Sequence, residues 1–134
     1  MKLPEKTILE QVYGESERSR RRFEKLAGNF KEHFGYEPCH FFSSPGRSEI
    51  IGNHTDHNGG KIIAASVSMD TIGAAAANGM DEVRVISEGY DEIRIDLRAL
   101  KKSAEDTGTA ALLAGLLEGA DRKGFRTGGF DAYI

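Results

Sequence analysis

The chain has 134 residues, of which 39% are hydrophobic, which suits one ordinary domain with a buried core. Its net charge of −3 offers no basic field to nucleic acid, and no apolar run approaches the length of a membrane span. One cysteine, Cys39, excludes an internal disulfide framework, and the charged start MKLPEKTILE lacks the apolar core of a signal peptide, so a soluble cytoplasmic protein is expected.

In chain order, residues 7–13 (TILEQVY) predict a short helix stopped by Gly14. Residues 16–34 predict a longer one. Phe23, Leu26, Phe30 and Phe34 fall on one stripe at helical spacing, and Gly35 follows as the expected C-terminal cap. The opposite side carries Arg18, Arg21, Arg22 and Lys25, diluted by Glu15, Glu17 and Glu24; it reads as a solvated basic face.

Pro38 then breaks the helical pattern, and strand-like segments follow at 40–43, 49–51, 61–67, 70–77, 82–87 and 92–97. The last two alternate well. Val83 and Val85 share one face, and Ile93, Ile95 and Leu97 share another, with EGYD between them as a hairpin turn. The segment from Ala64 to Ala77 is rich in Ala and Ser, which suits close packing against a helix. Residues 107–122 predict the clearest helix, with Leu112, Leu113, Leu116, Leu117 and Ala120 as its apolar stripe and Gly124 just past its end. GGFDAYI then reads as a turn entering a strand. A domain rarely stops there, so a fragment is expected.

The stretch SSPGRSEIIGNHTDHNGG, residues 43–60, crowds Arg, Glu, His, Asp and Asn between glycines. One reading is a metal site, since His54, Asp56 and His57 form H-x-D-H, part of a metallo-β-lactamase-like zinc motif. That motif needs a further His where Gly52 stands, and a zinc site needs three or four converging ligands. No His follows position 57 and Cys39 is the only thiol, so no metal is expected. A second reading is a polyol site. Sugar hydroxyls both donate and accept, and short Asp, Asn and His side chains match them at different angles while glycines let the backbone approach. Turn formation alone also favours such residues.

PGRSEIIGNHTDHNGG resembles the galactokinase signature, G-R-x-N-L-I-G-E-H-T-D-Y-N-x-G, within the GHMP small-molecule kinases. The resemblance extends to FKEHFGYEP and FFSSPGR before it, and to KIIAASVSMDTIGAAAA and TAALLAGLLEGADRKGFRTGGFDAYI after it. It implies an α+β fold of the GHMP-kinase N-terminal domain type, a mostly antiparallel sheet with helices on one face. The whole chain, 1–134, is then an N-terminal sugar-recognition domain, incomplete at its C-terminus. Galactokinases transfer the γ-phosphoryl group of ATP to the anomeric hydroxyl of galactose, which implies ATP and Mg2+ as cofactors of a full-length protein and a sugar as its partner.

On the matching positions, the resemblance implies that Arg47 lies beside the reacting hydroxyl and the transferring phosphoryl, as the catalytic residue. The alternative for Arg47 is an ion pair with a structural carboxylate. His54 and Asp56 match residues that hold ring hydroxyls; both could instead form the turn. Gly59 and Gly60 read as structural. Several positions depart from the signature: Asn53 replaces a Glu that looks toward the carbon 6 hydroxyl, His57 replaces a Tyr, and Glu49 replaces an Asn. Asn53 and His57 are therefore expected in the substrate pocket with altered preference, tolerating a substituent or charge at carbon 6. The family's phosphate loop and catalytic Asp lie further along the chain. The fragment alone is accordingly expected to be inactive, to hold no bound cofactor, and to dimerise through the open edge near residues 125–134. A non-catalytic galactokinase-like sugar sensor is the alternative.

Overall fold

The computed structural model describes residues 3–52, 56–100 and 108–134, and of Asp56 the backbone only. Helix α1 spans Lys6–Tyr13 and α2 spans Glu17–Phe34. The stripe predicted on α2 is the side that folds inward: Phe23, Leu26 and Phe30 are buried together with Ala27, and Phe34 packs at their margin. Gly35 ends the helix at φ 83°, a left-handed conformation that favours glycine, and its N–H donates to the Lys31 carbonyl at 2.9 Å.

Strands β1 (His40–Ile51), β2 (Ile63–Ala77), β3 (Glu82–Ile86), β4 (Ile93–Asp96) and β5 (Phe130–Tyr133) form one sheet in the order β1-β2-β5-β3-β4. Three neighbouring pairs are antiparallel and β3/β5 is parallel, so the sheet is mixed and mostly antiparallel, as expected of the α+β class. Where four short strands were expected at 40–43, 49–51, 61–67 and 70–77, two long ones run through. Pro45 does not break β1, because β1 lies at the sheet edge and Pro45 sits at a shift in register, where a missing N–H costs little. The hairpin predicted at EGYD is present, closed by the Tyr90 N–H on the Ser87 carbonyl at 3.0 Å.

The core lies on both faces of the sheet. Leu9, Phe23, Leu26 and Phe30 of the two helices pack on Ala74, Ala76 and Tyr133, so the small residues of β2 do admit a helix at close range. On the other side, helix α3 (Thr109–Arg122) sets Ala114, Leu113 and Leu117 against Val83, Val85, Ile95 and Phe130. Phe130 and Tyr133 are an odd number of residues apart along β5 and so point to opposite faces. Helices on one face is therefore true of α1 and α2, while α3 covers the opposite face.

Three further expectations change. Val83 and Val85 do not lie on a different face from Ile93 and Ile95. They pair directly across β3/β4, Val83 with Ile95 and Val85 with Ile93, and share one cluster. The α3 stripe is narrower than the sequence suggests: Leu112 and Leu116 are each 64% exposed, and the buried residue is Ala114. Finally, β5 is not an edge. It lies between β2 and β3, hydrogen-bonded on both sides, and the edges are β1 and β4. The expected dimer through residues 125–134 loses the open strand on which it rested.

Candidate sugar-binding hairpin

The glycine-framed stretch lies on β1 and the β1–β2 connection. Two register shifts bracket its first half. Pro45 pairs with Asp70 but Arg47 pairs with Ser66, so β2 carries extra residues there. Glu49 pairs with Ala64 but Ile51 pairs with Ile63, so β1 carries the next one. Bulges of this kind re-aim side chains at functional sites. Between the two shifts, Arg47, Ser48 and Glu49 run in unbroken register against Ser66, Ala65 and Ala64. Arg47 and Glu49, two apart on a strand, leave the backbone on the same side.

Both shifts depend on glycine. A Cβ on Gly46 would lie 2.9 Å from Val67 Cγ2 and 3.3 Å from the Met69 carbonyl oxygen, so the bulge of β2 presses on this position. Gly52 has φ 113°, and a Cβ there would lie 2.6 Å from Ile62 Cγ2 and 2.9 Å from the Lys61 oxygen. These two residues hold the base of the loop by letting two backbones touch.

Arg47 Nη2 donates to Glu49 Oε1 at 2.7 Å. The Glu49 side chain is 13% exposed and that of Arg47 58%, so the pair anchors the guanidinium without burying it. This is the ion-pair geometry that the sequence left open for Arg47, and an exposed guanidinium remains able to face an anion. Asp56–Asn58 form a short 3-10 turn, with His57 exposed at its centre. Asn53, His54 and the Asp56 side chain lie outside the described residues, as does their expected convergence with Arg47.

The root of the hairpin is fixed by Asp70, which sequence reading passed over. Its carboxylate accepts from Tyr13 Oη at 2.6 Å, Ser43 Oγ at 2.7 Å and Arg22 Nη2 at 2.7 Å. Burial alone would raise the Asp70 pKa; hydrogen bonds from Tyr13, Ser43 and Arg22 outweigh it and hold the carboxyl below its ordinary value. Thus α1, α2, β1 and β2 meet at one charge, whose β1 partner Ser43 lies four residues before Arg47. The basic face of α2 is accordingly not only solvated: Arg22 turns to Asp70, and Lys25 Nζ meets Glu88 Oε1 at 2.7 Å. The available signal was a single Asp inside an Ala- and Ser-rich strand.

Residues 28–77 match the model of the galactokinase galactose-binding signature. Over that segment the chain resembles the galactokinase family. It is 38% identical over 88 residues to a galactokinase of Streptococcus thermophilus, an alignment covering 63% of this chain and 23% of that protein. With a galactokinase of Limosilactobacillus fermentum it shares 29% identity over 115 residues, 83% of this chain and 30% of that one. The fold superposes on Lactococcus lactis galactokinase, solved in complex with galactose, with a TM-score of 0.71 and 28% identity, over 84% of this chain and 30% of that one. Mevalonate kinase of Methanococcus jannaschii matches with a TM-score of 0.54 at 14% identity, over 70% of this chain and 31% of that one, which bears on fold alone. The galactokinase-like chain therefore spans less than a third of the length of these relatives.

Among the described residues, no group of three or more His, Cys, Asp or Glu is placed to hold a metal ion. Among the same residues, no helix is long and apolar enough to cross a membrane.

Proposed function

We propose that residues 1–134 form the N-terminal sugar-recognition domain of a galactokinase-like kinase, one that phosphorylates the anomeric hydroxyl of galactose or a related sugar with ATP. The observation that carries this reading is the galactose-binding signature over residues 28–77, which contains Arg47, Asn53, His54, Asp56 and His57. In this reading Asp56 and His54 hold ring hydroxyls, and Asn53 and His57 adjust the pocket at the positions where the chain departs from the signature. Arg47 is the catalytic residue: its guanidinium lies beside the transferring phosphoryl and stabilises charge developing on the phosphate oxygens. ATP supplies the phosphoryl group, and Arg47 is the described residue suited to meet it. Mg2+ is expected of the kinase reaction, but the described residues offer no ligand set for it.

Galactose titrated into the purified chain and followed by amide NMR tests the reading. Shifts should concentrate in residues 43–60 and vanish in Asp56→Ala. Shifts scattered over the surface, or none at saturating sugar, would overturn it. A coupled assay of the same chain with galactose and Mg-ATP should show no turnover above a blank, because the family places its phosphate loop and catalytic Asp further along the polypeptide.

A further inference from the structure

At the position two after Arg47 the chain departs from the signature, and there the structure shows a contact with Arg47 itself. The signature has Asn there and this chain has Glu49. Glu49 is 13% exposed and meets Arg47 Nη2 at 2.7 Å. Arg47 itself is on an edge strand and more than half exposed. An arginine in that setting, left alone, samples many rotamers, and fixing it before a ligand arrives lowers the entropy lost on binding.

We propose that Glu49 is a positioning residue for Arg47: its carboxylate holds the guanidinium in one orientation on the β1 surface, beside the sugar loop. The proposal rests on the reading of Arg47 given above and deepens it. The backbone supports it independently. Residues 47–49 keep unbroken register between two shifts, so both side chains leave a fixed platform on the same side. A neutral Asn could offer one amide oxygen; a carboxylate offers a charge-assisted bond in a geometry that suits the planar fork of Arg. The carboxylate also offsets the positive charge of Arg47, so this chain has a better ordered but less electropositive site than a signature with Asn.

The test reads the Arg47 side chain directly. In the unmodified chain the Arg47 Nε–Hε resonance should be visible, with slow solvent exchange and a heteronuclear NOE near that of the β1 backbone. Glu49→Gln should speed that exchange about threefold and Glu49→Ala about tenfold, with the β1–β2 backbone amides unmoved. Sodium chloride at about 1 M should do the same without any substitution, since a half-exposed ion pair is screened there. Exchange indifferent to Glu49 and to salt would overturn the proposal. So would shifts spread along β1 and β2, which would make Glu49 merely structural. A galactose titration separates the two readings. If sugar leaves residues 43–60 unmoved while Arg47 still depends on Glu49, the sugar reading fails alone. If sugar binds but Arg47 is mobile regardless of Glu49, this inference fails alone.

Discussion

Arg84 of β3 and Asp131 of β5 face each other across the one parallel strand pair and form an ion pair, with Arg84 Nε donating to Asp131 Oδ1 at 2.8 Å. Asp131 is fully buried, and Tyr36 Oη at 2.6 Å and Asn78 Nδ2 at 2.7 Å complete its shell. The Arg84 guanidinium also lies 5.1 Å from the centre of the Phe34 ring. One carboxylate thus joins the end of α2, the turn after β2, and strands β3 and β5. Removing Arg84 leaves that charge buried and half paired. Arg84→Met should cost about 3 kcal/mol, the lower end for breaking a buried pair because Arg84 keeps some contact with water. Urea unfolding monitored by circular dichroism measures it. A loss under about 1 kcal/mol would mean the pair is solvated as surface pairs are.

The same cluster sets the pH range of the fold. Burial would raise the Asp131 pKa, but hydrogen bonds from Arg84, Tyr36 and Asn78 outweigh it and hold the carboxyl below its ordinary value of 3.8. A depressed folded value contributes stability that is complete above about pH 3.8 and is lost as pH falls through the folded value. Tyr36 moves the other way: burial, then its hydrogen bond to Asp131, push it from 10.0 to about 12. Its contribution is complete below pH 10 and is lost as pH rises from there toward 12. Urea midpoints across pH should therefore fall at both ends. Tyr36→Phe should flatten the alkaline limb and weaken the acid limb without removing it, because Arg84 and Asn78 still hold Asp131.

Gly129 admits β5 to its slot. A Cβ there would stand 2.0 Å from the Met80 carbonyl oxygen, 2.5 Å from Asn78 Oδ1 and 2.6 Å from the Glu82 oxygen. Two of these are backbone atoms at the entry to β3 and cannot move without unpairing it. Gly129→Ala should cost about 3 kcal/mol or more, the upper range of overpacking. Gly128→Ala is the control, since nothing lies within 4 Å of its Cβ, and should stay within about 0.5 kcal/mol of the parent. Equal melting of the two variants would show that β5 enters the sheet by another path.

Much of this architecture was legible residue by residue. Phe23, Leu26 and Phe30 repeat at helical spacing through a long helix, and the pattern identifies the buried side without help. Val83, Val85, Ile93 and Ile95 alternate in two segments joined by a turn, and a hairpin follows. Strand order was not legible. Phe130–Tyr133 is only four residues long, and nothing local tells it to enter between β2 and β3 rather than end an edge. Nor do four leucines on α3 say which two face the sheet; the small Ala114 decides, because it allows close approach. At the site, residue types suggested polyol chemistry and the signature suggested the sugar. Glu49 as partner of Arg47 was hidden because residues 44–48 read as a loop, whereas in a continuous strand the two share a side. Asp70 gave no periodic signal at all, since its partners are 27 to 57 positions away.

Asn53 should set the sugar preference. The signature has Glu there, whose charge-assisted hydrogen bond to a hydroxyl is worth about 1.5–3 kcal/mol when both are buried. That is about one to two decades of affinity. Asn53→Glu should tighten galactose binding by about that factor and weaken binding of a sugar acid charged at carbon 6. Calorimetric titration of galactose and galacturonate into both forms decides it. An unchanged rank order would remove Asn53 from the pocket.

Substitution at Gly52 should separate recognition from folding. Its φ of 113° and its contact with Ile62 leave no room for a side chain. Yet it sits at the far end of an edge hairpin, away from the clusters built on Phe30 and Val83. A Cβ at this point should open the loop base locally rather than strain the core, because such ends unfold at little global cost. Gly52→Ala should therefore change the urea midpoint by less than the equivalent of about 1 kcal/mol. Galactose affinity should fall at least about tenfold, since a mis-set loop disturbs several hydrogen bonds worth about 1 kcal/mol each. Gly59→Ala is the comparator. Its φ is 75° but its Cβ meets nothing within 4 Å, so it should cost less affinity. Should Gly52→Ala bind galactose as the parent does, the base of the loop is not what shapes the site. Should it unfold the chain, the β1–β2 hairpin belongs to the cooperative core and recognition cannot be separated from it.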